Sequence, residues 1–362
     1  MTSLRRRPAL RWLAPIATAI VFVGAGSLIS AFTNAAQADL APRSAAQLLV
    51  DVQNARLDGL SGTIAQSADL GIPSLPGIGG GSSDLSSLVS GSHTLRLWYD
   101  GPDHVRLALL GQFGESDVVR NGADLWTWSS TGHSATHSAL PSNSAGHDSS
   151  PLQGEATMTP QAAADAALKA ISPSTSVTTN GTDIVAGRAA YLLTLQPKSS
   201  NSLVGSVQIA IDGKTHVPTR VQVFAVGASK PSLSVGFTSF NPGAPSSSVF
   251  GFNPPPGTKV TQEKGEPRSL TGKKTGRSAV DNADPKVVGS GWTSVLVASA
   301  PDVVSGSGST ATLLQKLPEV SGTWGSGRLL EGTLFSVLLT QDGRIVVGAV
   351  PPSVLYAALA AG

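Results

Sequence analysis

Apolar side chains recur at every second position through much of the chain. Leu95, Leu97 and Tyr99 alternate within residues 93–99, and Val105, Leu107 and Leu109 within 104–109. Residues 117–120 and 125–128 are joined by Asn121-Gly122, a strong hairpin dipeptide. Further on, Tyr191, Leu193 and Leu195 alternate, as do Val207, Ile209 and Ile211. Val221 and Val223 share a side, and so do Leu233, Val235 and Phe237. A period of two makes each strand apolar on one side and polar on the other. One antiparallel sheet with a single greasy face is the expectation.

Two helices interrupt this pattern in the first 262 residues. Ser44 and Gln47 have capping-box spacing. Ala45, Leu48, Leu49, Val52 and Arg56 follow at helical spacing, with Gly59 placed to close the end. Thr159 and Pro160 open a second helix with Ala163, Ala166, Ala167, Ala170 and Ile171 on one side, ended by Ser172-Pro173. It is weakly amphipathic and suits lying across the mouth of a curved sheet. An extended segment is expected at 61–70. Residues 72–92 are rich in Gly, Pro and Ser and too long for a hairpin turn, so they read as a lid or an insert. Asn180-Gly181-Thr182 reads as a turn.

Composition adds boundaries. A chain of 362 residues exceeds one ordinary core. Residues 263–286 carry Lys264, Arg268, Lys273, Lys274 and Arg277 in a polar linker. The division is then 1–38 as a targeting segment, 39–262 as the main domain, 263–286 as linker and 287–362 as a small α+β domain. In that domain 292–298, 334–340 and 345–350 read as strands, and 310–317 and 353–361 as helices. Charged residues are 13% of the chain, too few for long salt-laced helices.

Arg5, Arg6, Arg7 and Arg11 precede an uncharged stretch from Trp12 to Phe32, and Ala36-Gln37-Ala38 offers a cleavage site. The segment is either a cleaved signal or an uncleaved anchor. Both readings put residues 39–362 outside the cytoplasm, secreted or held at the outer face of the cytoplasmic membrane. Without those arginines the rest carries a small acidic excess, which disfavours nucleic acid.

Candidate chemistry is sparse. The absence of cysteine excludes disulfides, thiolate metal sites and a Cys nucleophile. His133 and His137 are four apart, but among Ser, Thr and Gly they fall in an expected polar loop with His147, Asp148 and Glu155. Gly272-Lys273-Lys274-Thr275 lacks the upstream glycine of a phosphate loop, and no G-x-S-x-G elbow occurs. No enzyme, cofactor or metal is expected. Trp126 and Trp128 share a side opposite Leu125 and Thr127, where they either pack against the first helix or line a ligand cavity.

The order of these features resembles a known family. Leu60-Ser61-Gly62-Thr63-Ile64, Leu95-Arg96-Leu97-Trp98-Tyr99, Gly101-Pro102-Asp103-His104-Val105-Arg106-Leu107 and Asp117-Val118-Val119-Arg120-Asn121-Gly122 lead into Leu125-Trp126-Thr127-Trp128. Gly187-Arg188-Ala189-Ala190-Tyr191-Leu192-Leu193, Ile211-Asp212 with Val217-Pro218-Thr219-Arg220, and Phe250-Gly251-Phe252-Asn253-Pro254-Pro255-Pro256-Gly257 follow. Over residues 44–262 this resembles the LolA/LolB lipoprotein-carrier superfamily and its relative, the N-terminal domain of the RseB/MucB regulators. The tail, Gly343-Arg344-Ile345-Val346-Val347-Gly348-Ala349-Val350-Pro351-Pro352, resembles the end of the RseB C-terminal domain.

The resemblance implies an α+β fold: a half-open antiparallel β-barrel covered by short helices, with a second small α+β domain. It implies a non-enzymatic carrier or chaperone for the acyl chain of a lipid or lipoprotein. The alternative it implies is a sensor acting on a membrane anti-sigma factor or another envelope protein. The cavity candidates are Leu95, Leu97, Tyr99, Val105, Leu107, Leu109, Trp126, Trp128, Tyr191, Leu193, Leu195, Val207, Ile209, Ile211, Val221, Val223 and Phe237.

Overall fold

The computed structural model describes residues 40–72, 87–88, 90–140, 173–263, 286–299 and 316–360. The targeting segment, most of the 72–92 loop, the helix expected at 159–172, nearly all of the linker and all but two residues of the 310–317 helix lie outside the described residues. Among the described residues no helix is long and apolar enough to cross a membrane.

The chain enters through helix α1 (Ala45–Asn54), capped as its sequence dictates. The Ser44 hydroxyl accepts from the Gln47 N–H at 3.2 Å, and the Gln47 side chain accepts from the Ser44 N–H at 2.9 Å. The helix ends at Asn54, earlier than Gly59, because Ala55 turns extended with φ −57° and ψ 127°. Arg56 therefore lies outside it. Gly59 serves a close crossing instead: a Cβ there would sit 2.6 Å from Ala244 Cα and 2.9 Å from Tyr99 O.

Six strands follow: β1 (Leu60–Ala68), β2 (Gly91–Tyr99), β3 (His104–Leu110), β4 (Glu115–Asn121), β5 (Asp124–Ser129) and β6 (Ser134–Ala139). Five more make the next set: β7 (Thr175–Val185), β8 (Arg188–Pro197), β9 (Val204–Asp212), β10 (Pro218–Ala225) and β11 (Leu233–Pro242). Each set is a ladder of sequential neighbours, and β1 joins them by pairing with β11. After β11 the chain crosses the sheet through a 3-10 turn at Ser247–Phe250 and adds β12 (Lys259–Glu263) parallel to β6. The order is β12-β6-β5-β4-β3-β2-β1-β11-β10-β9-β8-β7.

This twelve-stranded sheet is mixed and open, with β12 and β7 as its edges. The expected half-open antiparallel barrel is corrected in that respect: the sheet is not closed, and its last strand runs parallel to its neighbour. Bulges interrupt β7 between Thr179 and Thr182, β10 between Pro218 and Arg220, and the β1–β11 pairing at Thr63 and Ile64. Bulges add local twist. Consistent with a coiled sheet, Arg220 on β10 ion-pairs with Asp183 on β7, three strands away. In a flat sheet those strands would be about 14 Å apart.

Two expectations from turn chemistry fail here. Asn180-Gly181-Thr182 is part of the β7 bulge and not a turn, since β8 continues to pair on both sides of it. Residues 134–139 form β6 and not a polar loop, because β5 supplies a ladder partner for every residue.

The tail forms a second sheet of six strands: β13 (Lys286–Val288), β14 (Val295–Ser299), β15 (Glu319–Gly322), β16 (Gly325–Glu331), β17 (Ser336–Thr340) and β18 (Arg344–Gly348). β14 starts later than expected because Gly291–Thr293 forms a 3-10 turn, and β13, β15 and β16 had no clear alternation to announce them. Helix α2 (Pro352–Ala360) seals one side, with Leu355, Ala358 and Leu359 against Val295, Leu329, Leu338, Val346 and Val350. The two sheets touch. Leu203 N–H donates to Ala349 O at 2.9 Å, Thr333 N–H to Leu70 O at 2.7 Å, and Trp292 Nε1–H to Thr175 Oγ1 at 2.8 Å.

Candidate functional site

Residues directly opposite one another in neighbouring strands point to the same side. The register therefore sorts the candidates into two faces. On the front face one row reads Leu109–Leu95–Ile64–Phe237 and the next Leu107–Leu97–Gly62–Phe240. Val105–Tyr99–Leu60 forms a third. In the other wing Leu193–Ile209–Val221–Val235 and Leu195–Val207–Val223–Leu233 continue the face, with Tyr191 opposite Ile211. The strand candidates from Leu95 to Leu109 and from Tyr191 to Phe237 are thus brought onto one surface. Gly62 makes room on it: a Cβ there would meet the Phe237 ring at 2.7 Å. Phe237 and Phe240 pack edge to face across that space, centroids 5.0 Å apart.

Helix α1 covers only part of this face. Leu48 is fully buried against Tyr191, Leu193 and Ile211, and the Tyr191 hydroxyl donates to Ala41 O at 2.8 Å. Leu95 and Leu109 are also buried. Leu97, Leu107, Val207, Ile209, Val221, Val223 and Phe237 are half-buried, and Val235 is 37% exposed. Beyond β3 the front face turns from hydrocarbon to hydroxyl. Ser116, Ser129 and Ser134 form one row, and Thr127 and Thr136 lie in the next, beside Val118. These five hydroxyl residues border a shallow recess of about 200 Å³.

Trp126 and Trp128 do not join this surface. Leu125 and Thr127 pair with Arg120 and Val118 on the front, so the tryptophans point to the back. Nor do they meet the first helix. Phe252, from the crossing segment, lies 5.3 Å from Trp126 and 6.2 Å from Trp128. Phe250 is buried with its ring 5.6 Å from His104. Arg106 stacks on Trp98 at 5.6 Å, ion-pairs with buried Asp117 and donates to Val249 O at 3.3 Å. The crossing segment is thus strapped to the back of β3–β5. Both the strap and β6 were invisible to the alternation pattern.

His137 belongs to this strap and not to a metal site. It stacks on Trp126 at 4.4 Å, meets Asp124 Oδ1 through Nε2 at 2.7 Å and Gln262 Oε1 through Nδ1 at 2.9 Å. The Asp124 bond, helped by Gln262, raises its pKa above the ordinary histidine value. Burial raises the Glu115 pKa, and neighbouring Asp117 adds to the rise while Arg106 and Arg96 oppose it. Asp212 behaves oppositely. Burial alone would raise it, but Arg188 and Thr215 bonds hold it down at about 2. Among the described residues no group of three His, Asp or Glu gathers to hold a metal.

No family model matches the chain, and no curated protein matches it. Solved structures similar to it include the Pseudomonas aeruginosa MucA/MucB complex, at 16% identity over 87% of this chain and 96% of that one, TM-score 0.42. MucB alone gives 16% identity over 87% and 95%, TM-score 0.41. A LolA superfamily protein from Nitrosomonas europaea gives 10% identity over 58% and 99%, TM-score 0.22. The sequence motifs point to the same two groups of proteins.

Proposed function

We propose that the front face binds the acyl chain of a lipid or of a lipoprotein, outside the cytoplasm and without chemical conversion. The observation that carries this reading is the continuous apolar face over β1–β3 and β8–β11, on which Leu97, Leu107, Val221, Val223 and Val235 keep part of their surface open away from Leu48. Burying an acyl chain there gains about 0.8 kcal/mol per methylene, so some ten methylenes supply about 8 kcal/mol against an association cost of about 4 kcal/mol. The arginines before the uncharged stretch from Trp12 to Phe32 support export.

Leu107 is half-buried in that surface, whereas Leu193 is enclosed under Leu48. Leu107→Arg should therefore weaken binding of a dansyl-labelled undecanoic acid at least tenfold while leaving thermal unfolding nearly unchanged. Failure of the wild-type protein to bind that probe or to carry lipid after purification would overturn the reading. A module for a protein partner of the envelope, such as an anti-sigma factor, would then remain.

A further inference from the structure

The apolar rows of the front face contain one polar break. Along β2 the front positions run Tyr99, Leu97, Leu95 and then His93, and on β1 Ile64 is followed by Gln66. Gln66 and His93 sit directly opposite each other, each only 6% exposed, and Gln66 also faces Val235 on β11. Buried polar side chains on an apolar face are the informative exceptions, since each must find a partner or cost stability.

Both side chains spend a donor on the chain that returns into β2. Gln66 Nε2 donates to Leu88 O at 2.9 Å, and His93 Nε2 lies 2.9 Å from Ser90 O. A carbonyl can only accept, which settles the amide orientation and the tautomer. The nitrogen of Gln66 must face Leu88, so Oε1 points the other way. Nε2 of His93 likewise carries the proton that points at Ser90 O. Gln66 Oε1 is buried and has no donor among the described residues. Gln66 therefore presents an acceptor without a donor, beside His93 on an otherwise apolar stretch of the face.

We infer that Gln66 Oε1, beside His93, is a hydrogen-bond-accepting subsite that selects amphiphiles whose polar end carries an O–H or N–H donor. Alcohols and primary amides fit it, and simple esters do not. A ligand lying along β1 and β2 reaches it after Leu97, Leu95 and Ile64. This rests on the acyl-binding reading above and adds which head group that face accepts. An uncharged donor matches, because the face around the pair is hydrocarbon: Val235, Ile64 and Leu95 adjoin it in the register.

The test compares three ligands with the same acyl length: hexadecan-1-ol, palmitamide and methyl palmitate. Each displaces dansyl-labelled undecanoic acid from the purified chain. The alcohol and the amide should displace it at about five- to tenfold lower concentration than the ester, the worth of one buried hydrogen bond. In Gln66→Leu that preference should vanish while the ester binds at least as well. Should Gln66→Leu fail to fold for want of its bond to Leu88, the wild-type comparison still decides, and Gln66→Met, closer to glutamine in shape, supplies a second variant without the amide acceptor. Equal displacement by all three ligands from wild-type protein overturns the subsite and leaves acyl binding standing. Absence of binding by every ligand, the probe included, overturns both.

Discussion

Asp212 is the most heavily bonded carboxylate in the large sheet, and its removal is the sharpest test of how β8 and β9 are tied. The carboxylate is 1% exposed. It accepts from Arg188 Nε at 2.6 Å and Nη2 at 2.9 Å, from the Thr215 N–H and hydroxyl at 2.8 Å each, and from the Lys214 N–H at 3.2 Å. These bonds overcome burial and lower its pKa from 3.8 to about 2. A folded-state value below the unfolded one means stability that is complete above the unfolded pKa. It is lost as pH falls through the folded pKa. The gap corresponds to about 2.5 kcal/mol at roughly 1.4 kcal/mol per unit. Asp212→Asn removes this term and turns an amide N–H toward the guanidinium. Arg188 keeps a quarter of its side chain in solvent, so the cost at pH 7 should be about 3 kcal/mol, the low end for breaking a buried pair. Urea unfolding of both proteins between pH 2 and pH 7 measures it. The variant should be weaker at neutral pH, and its acid loss should be shallower by about 2 kcal/mol. Superimposable acid limbs, or a neutral-pH cost under about 1 kcal/mol, would refute this account of the pair.

Leu48→Ala should cost about 3–4 kcal/mol by thermal melting, because rigid strands beneath it limit collapse of the cavity; a cost near that of an exposed helix position would mean α1 is not docked on Tyr191, Leu193 and Ile211. Phe250→Ala should cost about 3–5 kcal/mol and speed hydrogen exchange in β12, since the ring anchors the strap; unchanged exchange in β12 would separate the two. His137 has a folded pKa above 6.5, so its hold on Gln262 is full below the unfolded pKa and weakens as pH rises through the raised value. Proton NMR of the ring should show the raised titration in wild type and its loss in Asp124→Asn, and an unshifted ring in wild type would contradict the clamp.

What the sequence made legible was whatever depends on near neighbours. The capping box of α1 is a contact between Ser44 and Gln47, and alternation placed β2, β3 and β8–β11 with their apolar sides together. The side occupied by Trp126 and Trp128 was also readable, as opposite to Leu125. What covers them was not, because Phe252 arrives from the far end of the chain by a crossing that has no local signal. β6 was hidden for the same reason: Ala135 and His137 are not an apolar face by themselves, and are covered only by the strap. Asn180-Gly181 shows the reverse error, a good turn dipeptide absorbed as a bulge by two strands that keep pairing. Gln66 and His93 could have been found. His93 stands two before Leu95, so alternation itself sets an imidazole on the apolar side.

The central position of β1 has a consequence for how the molecule assembles. Each wing is a string of hairpins that can zip from local contacts, which is fast. The seam between β1 and β11 and the pairing of β12 with β6 join residues more than a hundred positions apart. Both must await the last third of the large-sheet sequence. Until then β1, nine residues long, offers a bare edge, the kind of surface that recruits a strand from another chain. A polypeptide emerging N-terminus first would carry that edge for the whole time its second wing is being made. Chains truncated before β11 should accordingly aggregate through β1, whereas a chain rejoined so that β7–β11 precede β1 would shield that edge as soon as it appears.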